Sequence, residues 1–396
     1  MRRIFYLPGF DPREPEAYWG LLRRESRLTA SRRGMTIEVG KSVRSTDGHS
    51  LDWIIDSVEH GARTRTGYSL LRWDDIVRSH FPRSNVDRLI AIPALWWRLW
   101  RTGYLKAFRR EAWQFSTVIL VVHLLYATLV GASVTLAAWL TAISPLGDGP
   151  PILQLALTVP AAYGILGLLT RATKGRPFYV THLVDDTAFT HEHAANRTTA
   201  MSERLDAWAL RIHAAESEAS ELVVIGHSSS SFLALEALDR VLARDPLFGR
   251  RSTPVTLVTL GSVIPWIALD ARAEAIRGSL QRVADADAIA WLDLRAPWDW
   301  LSIHLRNPLQ ASDMYAPNPD RPTICSVDIE DLIEPSAVAL GRWNFFRMHF
   351  QLLMSSRDRS AFDYIALIAG SVPVHRAVGE LRDVPAADVP VTVPAS

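Results

Sequence analysis

The segment Glu221-Leu-Val-Val-Ile-Gly-His-Ser228-Ser-Ser-Ser-Phe232 puts a hydroxyl where it could act as a nucleophile. Leu222 to Ile225 is a continuous apolar run, as a strand buried on both faces requires. Phe232, Leu235 and Leu238 then recur at helical spacing, so strand passes to helix with Ser228 at the corner. So sharp a turn needs small residues two before and two after its tip, because backbone and neighbouring elements come close there. Gly226 and Ser230 hold those places. A serine hydroxyl is a weak nucleophile until an imidazole can take its proton, and the imidazole needs a carboxylate to fix its tautomer and stabilise its cation. The plainer alternative is helix capping, with Ser228 or Ser229 as the N-cap.

This corner resembles the nucleophile elbow of the α/β-hydrolase superfamily, usually G-x-S-x-G and here Gly226-His-Ser228-Ser-Ser230. Within that superfamily the chain resembles bacterial membrane-associated members. Ser230 departs from the final glycine, and its Cβ fits if φ there is negative or the helix stands slightly further off. The resemblance implies an α/β fold with a mostly parallel, doubly wound sheet, a triad in the order Ser, Asp, His, and neither metal nor cofactor. The loop after an Ile4–Leu7 strand, Pro8-Gly9-Phe10, then implies the Phe10 backbone N–H as one oxyanion donor and that of Ser229 as the other. The acid should stand just past the strand after next beyond the nucleophile. Strands over Pro254–Leu260 and Ala288–Leu294 put Asp299 there, with Asp293 and Asp328 as rivals. The base should come from beyond the last strand, Thr323–Ile329. His349 meets that condition, whereas His304 precedes the strand and His375 lies near the tail. The implied reaction is attack by Ser228 on an ester or thioester carbonyl, followed by hydrolysis of the acyl-enzyme.

Other elements must position these groups. Glu14–Arg27 reads as a helix with Tyr18, Leu21 and Leu22 on one face, and Thr36–Val43 and Tyr68–Trp73 read as strands that pair as neighbours across a polar connection. Trp73–Phe81 is an amphipathic helix whose Asp74 and Asp75 suit the N-terminal dipole. Thr190–Ser217 is expected as one long helix into the nucleophile strand, and residues 270–285 as another; Phe178–Phe189 gives no clear pattern. His191 and His193 are not spaced i, i+4, so zinc is not expected there.

Two segments set this chain apart. Phe115–Ile143 and Ile152–Leu169 contain no Asp, Glu, Lys or Arg, and Ser-Pro-Leu-Gly-Asp-Gly-Pro-Pro151 joins them. As a helix the second is about 27 Å long, close to the hydrocarbon thickness, and the first is longer. A transmembrane hairpin is the reading; a pair of buried core helices is the alternative, against which the lack of a polar face counts. Leu95, Trp96, Trp97, Trp100, Tyr104 and Trp113 are interleaved with Arg98, Arg101, Lys106, Arg109 and Arg110 before it, a mixture suited to the headgroup layer. Arg171, Lys174 and Arg176 follow it and the connecting turn has no basic residue, so both outer ends are expected in the cytoplasm. His123 is expected to be neutral, near the interface.

The expected organisation is one hydrolase domain from residues 1–88 and 190–376, an inserted membrane hairpin in 89–189, and a flexible tail over 377–396. With 43 Lys and Arg against 42 Asp and Glu, no broad attraction to nucleic acid follows, and the single Cys325 excludes an internal disulfide. The expected function is a serine hydrolase of the inner (cytoplasmic) membrane, with two spans and both termini inside, whose partners are the bilayer and a lipophilic acyl ester. Two other classes share these features: an inactive hydrolase-fold scaffold or lipid-binding protein, and an acyltransferase or thioesterase using the same triad.

Overall fold

The computed structural model describes residues 1–145, 147–173, 179–312, 314, 321–333, 345–357 and 362–377. Lys174 and Arg176 of the basic flank, and the tail from 378 on, lie outside the described residues. Alternating apolar residues build one sheet from β1 (Arg2–Leu7), β2 (Thr36–Val39), β3 (Val43–Arg44), β4 (Ser50–Glu59), β5 (Ala62–Leu71), β6 (Glu221–His227), β7 (Val255–Leu260), β8 (Ile289–Arg295) and β9 (Thr323–Ser326). The strand order is β2-β4-β5-β1-β6-β7-β8-β9, with β3 on β4. Every pairing from β5 to β9 is parallel, and β2, β3 and β5 pair antiparallel with β4. The expected α/β class with a mostly parallel sheet is what the chain adopts.

The helices that concern the site are α1 (Glu16–Arg33), α2 (Asp74–His80), α3 (Asn85–Arg101), α4 (Tyr104–Glu111), α5 (Trp113–Ala142), α6 (Pro151–Thr173), α7 (Val180–Ala194), α8 (Thr199–Ala215), α9 (Ser230–Arg244), α10 (Ile264–Ala268) and α11 (Glu274–Asp285). The strand period of two sends Phe5, Leu7, Leu222, Val224 and Leu257 to one face, where they pack with residues of α8, α9 and α11. Ile4, Tyr6, Val223, Ile225 and Val258 go to the other, against α1 and the short helix Tyr364–Ala369. Both faces are therefore buried, which is why the central strands read as unbroken apolar runs. Arg2 is buried at the start of β1. Its Nε meets Glu221 at 2.8 Å, and its Nη atoms donate to the carbonyls of Ile368, Gly370 and Val372, tying the C-terminal helix to the sheet.

Three expectations are corrected. The polar connection between the early strands is itself β4, which lies between β2 and β5, so those two do not pair. Leu51, Trp53 and Ile55 are buried along it while Asp52 and Asp56 point outward, and His60 and Gly61, both at positive φ, turn it into β5. The long helix over 190–217 is two: α7 ends at Ala194, Asn196 takes a φ of 56°, and α8 begins at Thr199. Leu95 and Tyr104, grouped by sequence with the headgroup collar, are core residues together with Phe108, and the Tyr104 hydroxyl donates to the Trp266 carbonyl at 2.6 Å.

The helices α5 and α6, 30 and 23 residues long, are both long and apolar enough to cross a membrane. Their relation to the domain is unequal. On α5, Phe115, Val118, Ile119, Val122 and Tyr126 repeat at helical spacing and pack against protein, including Leu183 and Val184 of α7. Leu120, Val121 and Leu124 on its other side, and Val134, Leu136 and Trp139 further along, are exposed. Ile152, Leu155, Val159 and Leu168 of α6 are exposed as well, and the two helices run together, with Thr158 donating to Thr141 at 3.1 Å.

Candidate active site

β1 and β6 are neighbours, and the chain leaves β1 toward β5 on one side of it and β6 toward β7 on the other. In open parallel sheets a crevice forms outside the carboxyl ends at such a point. Leu7 and His227 end these two strands, so Pro8-Gly9-Phe10 and Ser228-Ser229 meet there. Ser228 takes a φ of 56°, a left-handed conformation costly for a non-glycine residue, and α9 starts two residues later. The neighbours make this corner possible. A Cβ on Gly226 would sit 2.5 Å from the Ser230 carbonyl oxygen and 2.8 Å from Ala234 Cβ; one on Gly9 would sit 3.0 Å from Ser228 Cβ and 3.5 Å from its Oγ.

Ser230 is fully buried at the first position of α9, and its φ is not positive, so its Cβ is accommodated. Its hydroxyl donates to the Pro8 carbonyl, which also accepts the Trp73 indole N–H at 2.8 Å. The serine that departs from the usual glycine thus joins the helix to the loop carrying Phe10. Neither the Phe10 nor the Ser229 backbone N–H donates to a protein acceptor among the described residues.

His349 ends the short helix Phe345–His349 and is buried. Its Nδ1 lies 2.7 Å from Asp299 Oδ2, while Asp299 Oδ1 accepts the Leu301 N–H at 3.0 Å. The imidazole stacks on His227, with ring centroids 4.7 Å apart. Gly261, at the end of β7 with a φ of 54°, clears space for this pair: a Cβ there would fall 3.2 Å from His349 Cε1 and 3.4 Å from Asp299 Oδ2. With Nδ1–H directed to a carboxylate, Nε2 is left as the basic nitrogen, and it has no hydrogen-bond partner among the described residues. Nor does a hydrogen bond join it to Ser228 Oγ there. Nucleophile and base in unliganded sites are often separated beyond hydrogen-bond reach.

The rival groups lie elsewhere. Asp293 accepts from Thr259 at 2.6 Å and from Arg295 at 3.1 Å inside the sheet, and Asp328 precedes a short helix. His304 has no hydrogen bond to this pair, and His375 meets Glu221 at 3.1 Å. His191 and His193 are bound to Asp270 and to Glu236 and Thr198, and no metal-ligating cluster occurs among the described residues.

Ser228, Ser229, Phe10 and His349 line one cavity of about 790 Å³, within the size range of sites for drug-sized ligands. Its far wall includes Phe115 and Ile119 of α5 with Leu183 of α7, so it is apolar and reaches the long helix. Among the titratable groups facing it that sequence reading passed over are His182 and Asp186 on α7. Burial drops the His182 pKa to about 4, so it is neutral, and its ring meets those of Phe10, Phe81 and Phe346 edge-on. Asp186 accepts from Ser229 Oγ at 3.1 and 3.2 Å. Burial pushes its carboxyl from 3.8 up to about 7, against the opposing pull of the Ser229 bond and the His349 ring. One sign was present: His182, Asp185 and Asp186 fall at helical spacing in an otherwise apolar stretch, but without the fold nothing linked that stretch to Ser228.

No family model, no curated protein and no solved structure matches this chain.

Proposed function

We propose that the chain is a membrane-anchored serine hydrolase of the α/β-hydrolase superfamily, cleaving ester or thioester bonds of lipophilic acyl substrates. The observation that carries this reading is a left-handed serine at the carboxyl end of a central parallel strand, sharing one cavity with His349, whose other ring nitrogen is held by the buried Asp299. In this mechanism Nε2 of His349 takes the Ser228 proton as Oγ attacks the carbonyl carbon, and Asp299 stabilises the resulting imidazolium. The free N–H groups of Phe10 and Ser229 receive the oxyanion, each such donor lowering the barrier by about 2.7–4 kcal/mol in comparable sites. His349 then returns its proton to the leaving alcohol or thiol, and water repeats the sequence to release the acid. The hairpin of α5 and α6 anchors the domain with both basic flanks in the cytoplasm. Because α5 also walls the cavity, an acyl chain leaving the bilayer would meet apolar side chains on the way to Ser228.

Membranes containing the protein, treated with a fluorophosphonate probe, test this. The wild type should label and Ser228→Ala should not, while Asp299→Asn should hydrolyse a long-chain p-nitrophenyl ester about 10⁴-fold more slowly with its fold intact. A wild type that fails to label, or equal labelling of Ser228→Ala, would refute the proposal.

A further inference from the structure

A second cavity, of about 160 Å³, lies between α3, α5 and α7, away from Ser228. Ile92, Leu95 and Val184 form apolar walls, and five arginines reach it: Arg83, Arg88, Arg98, Arg197 and Arg272. Three of them are neutralised. Arg83 is held by Glu192 at 2.6 Å, Arg88 by Asp185 at 2.6 Å, and Arg272 by Asp270 at 2.9 Å. Arg98 comes no closer than 3.6 Å to Asp270 and makes no hydrogen bond to it, and Arg197 has no ion-pair partner among the described residues. Two cations are therefore left over.

Unused hydrogen-bonding atoms accompany the unused charge. Arg98 Nε and Nη2 are buried without a hydrogen-bond partner, as is Nε2 of His191, a residue 2% exposed whose Nδ1 is already committed to Asp270 at 2.7 Å. Stranding such atoms costs free energy, more for charged groups, so a site that keeps them has a ligand to gain. Burial first, then the Arg272 and Arg197 guanidiniums, push the Arg98 pKa below its ordinary value against the pull of Asp270.

We propose that this cavity binds a phosphate group, carried by an anionic lipid headgroup or present as free phosphate, with Arg98 and Arg197 as its counter-charges. The size suits a group of several atoms and not an acyl chain, and one or two negative charges match the excess. Trp97 and Trp100, on the same helix as Arg98, are exposed, as are Leu120, Val121 and Leu124 of α5, the helix whose His123 lines the cavity. In the membrane orientation proposed above, the cavity lies at the level of the headgroups, where basic pockets between helices take lipid phosphates. Nothing in this proposal requires that the protein be a hydrolase.

The test uses the full chain in phosphatidylcholine nanodiscs, with thermal unfolding as the readout. Phosphatidylglycerol is added to the disc in one series, and inorganic phosphate at constant ionic strength in another. A saturable rise in melting temperature is expected in at least one series. A rise with phosphatidylglycerol alone assigns the headgroup, and a rise with inorganic phosphate as well assigns the free anion; either supports the site. Arg98→Gln and Arg197→Gln should weaken the apparent affinity about tenfold or more, whereas Arg109→Gln, a basic residue of α4 outside the cavity, should not. If Arg98→Gln does not fold, the exposed Arg197 carries the comparison alone. No saturable rise in either series, or an equal loss in Arg109→Gln, overturns the proposal.

Discussion

Asp186 gives a prediction whose size and sign both follow from its surroundings. Moving a carboxyl pKa from 3.8 to about 7 corresponds to about 4 kcal/mol, at about 1.4 kcal/mol per pH unit. The group borders the cavity, where water screens it, so about 1–3 kcal/mol is the expected effect on stability. Below about pH 4 the carboxyl is protonated in the folded and unfolded chains alike and contributes nothing. Between pH 4 and 7 the folded protein retains a proton that the unfolded chain has released, so stability falls as pH rises. Above about 7 the penalty is constant. Asp186→Asn removes the titration while its amide oxygen can still accept from Ser229. The variant should match the wild type near pH 4 and exceed it by about 1–3 kcal/mol at pH 8, or roughly 2 °C in melting temperature per kcal/mol at this chain length. Melting curves of both proteins in detergent between pH 4 and 8.5 measure the difference. A gap that does not vary with pH would refute the assignment of a proton to Asp186. The same substitution bears on the proposed chemistry. An ionised Asp186 beside the Ser229 donor would oppose the oxyanion, so a fall in kcat/KM above about pH 7 should be present in the wild type and absent from Asp186→Asn.

Two further substitutions test how the corner is built. Gly226→Ala would drive a Cβ into the backbone of α9 at Ser230 and Ser231, so the helix must move; a loss of about 3 kcal/mol in denaturant unfolding, with fluorophosphonate labelling slowed as Ser229 is displaced, is expected. Ser230→Ala removes one of two donors to the Pro8 carbonyl and leaves the Trp73 bond, so a loss of about 1 kcal/mol should appear in the same unfolding measurement.

The strand–corner–helix around Ser228 was legible because its signals are local. An apolar run of period-independent burial, small residues on either side of the tip and an apolar helical repeat all fall within one short stretch. The two long apolar helices were legible for the same reason, since length and hydropathy are properties of the chain alone. The positions of Asp299 and His349 relative to the strands could be anticipated from a resemblance, but their 2.7 Å contact bridges 50 residues and depends on Gly261 standing aside. Strand β4 was missed because Asp52, Asp56 and Ser57 interrupt its apolar residues, so that it reads as part of the polar connection. The states of Asp186, His182 and Arg98 are decided by tertiary structure. Whether a carboxylate is ionised or a guanidinium has a partner depends on what other segments bring within a few ångströms, and α7, α3 and Asp270 are far apart in the chain. Local order sets which side chains stand at the corner; packing over long sequence separations sets their charge and the water they see.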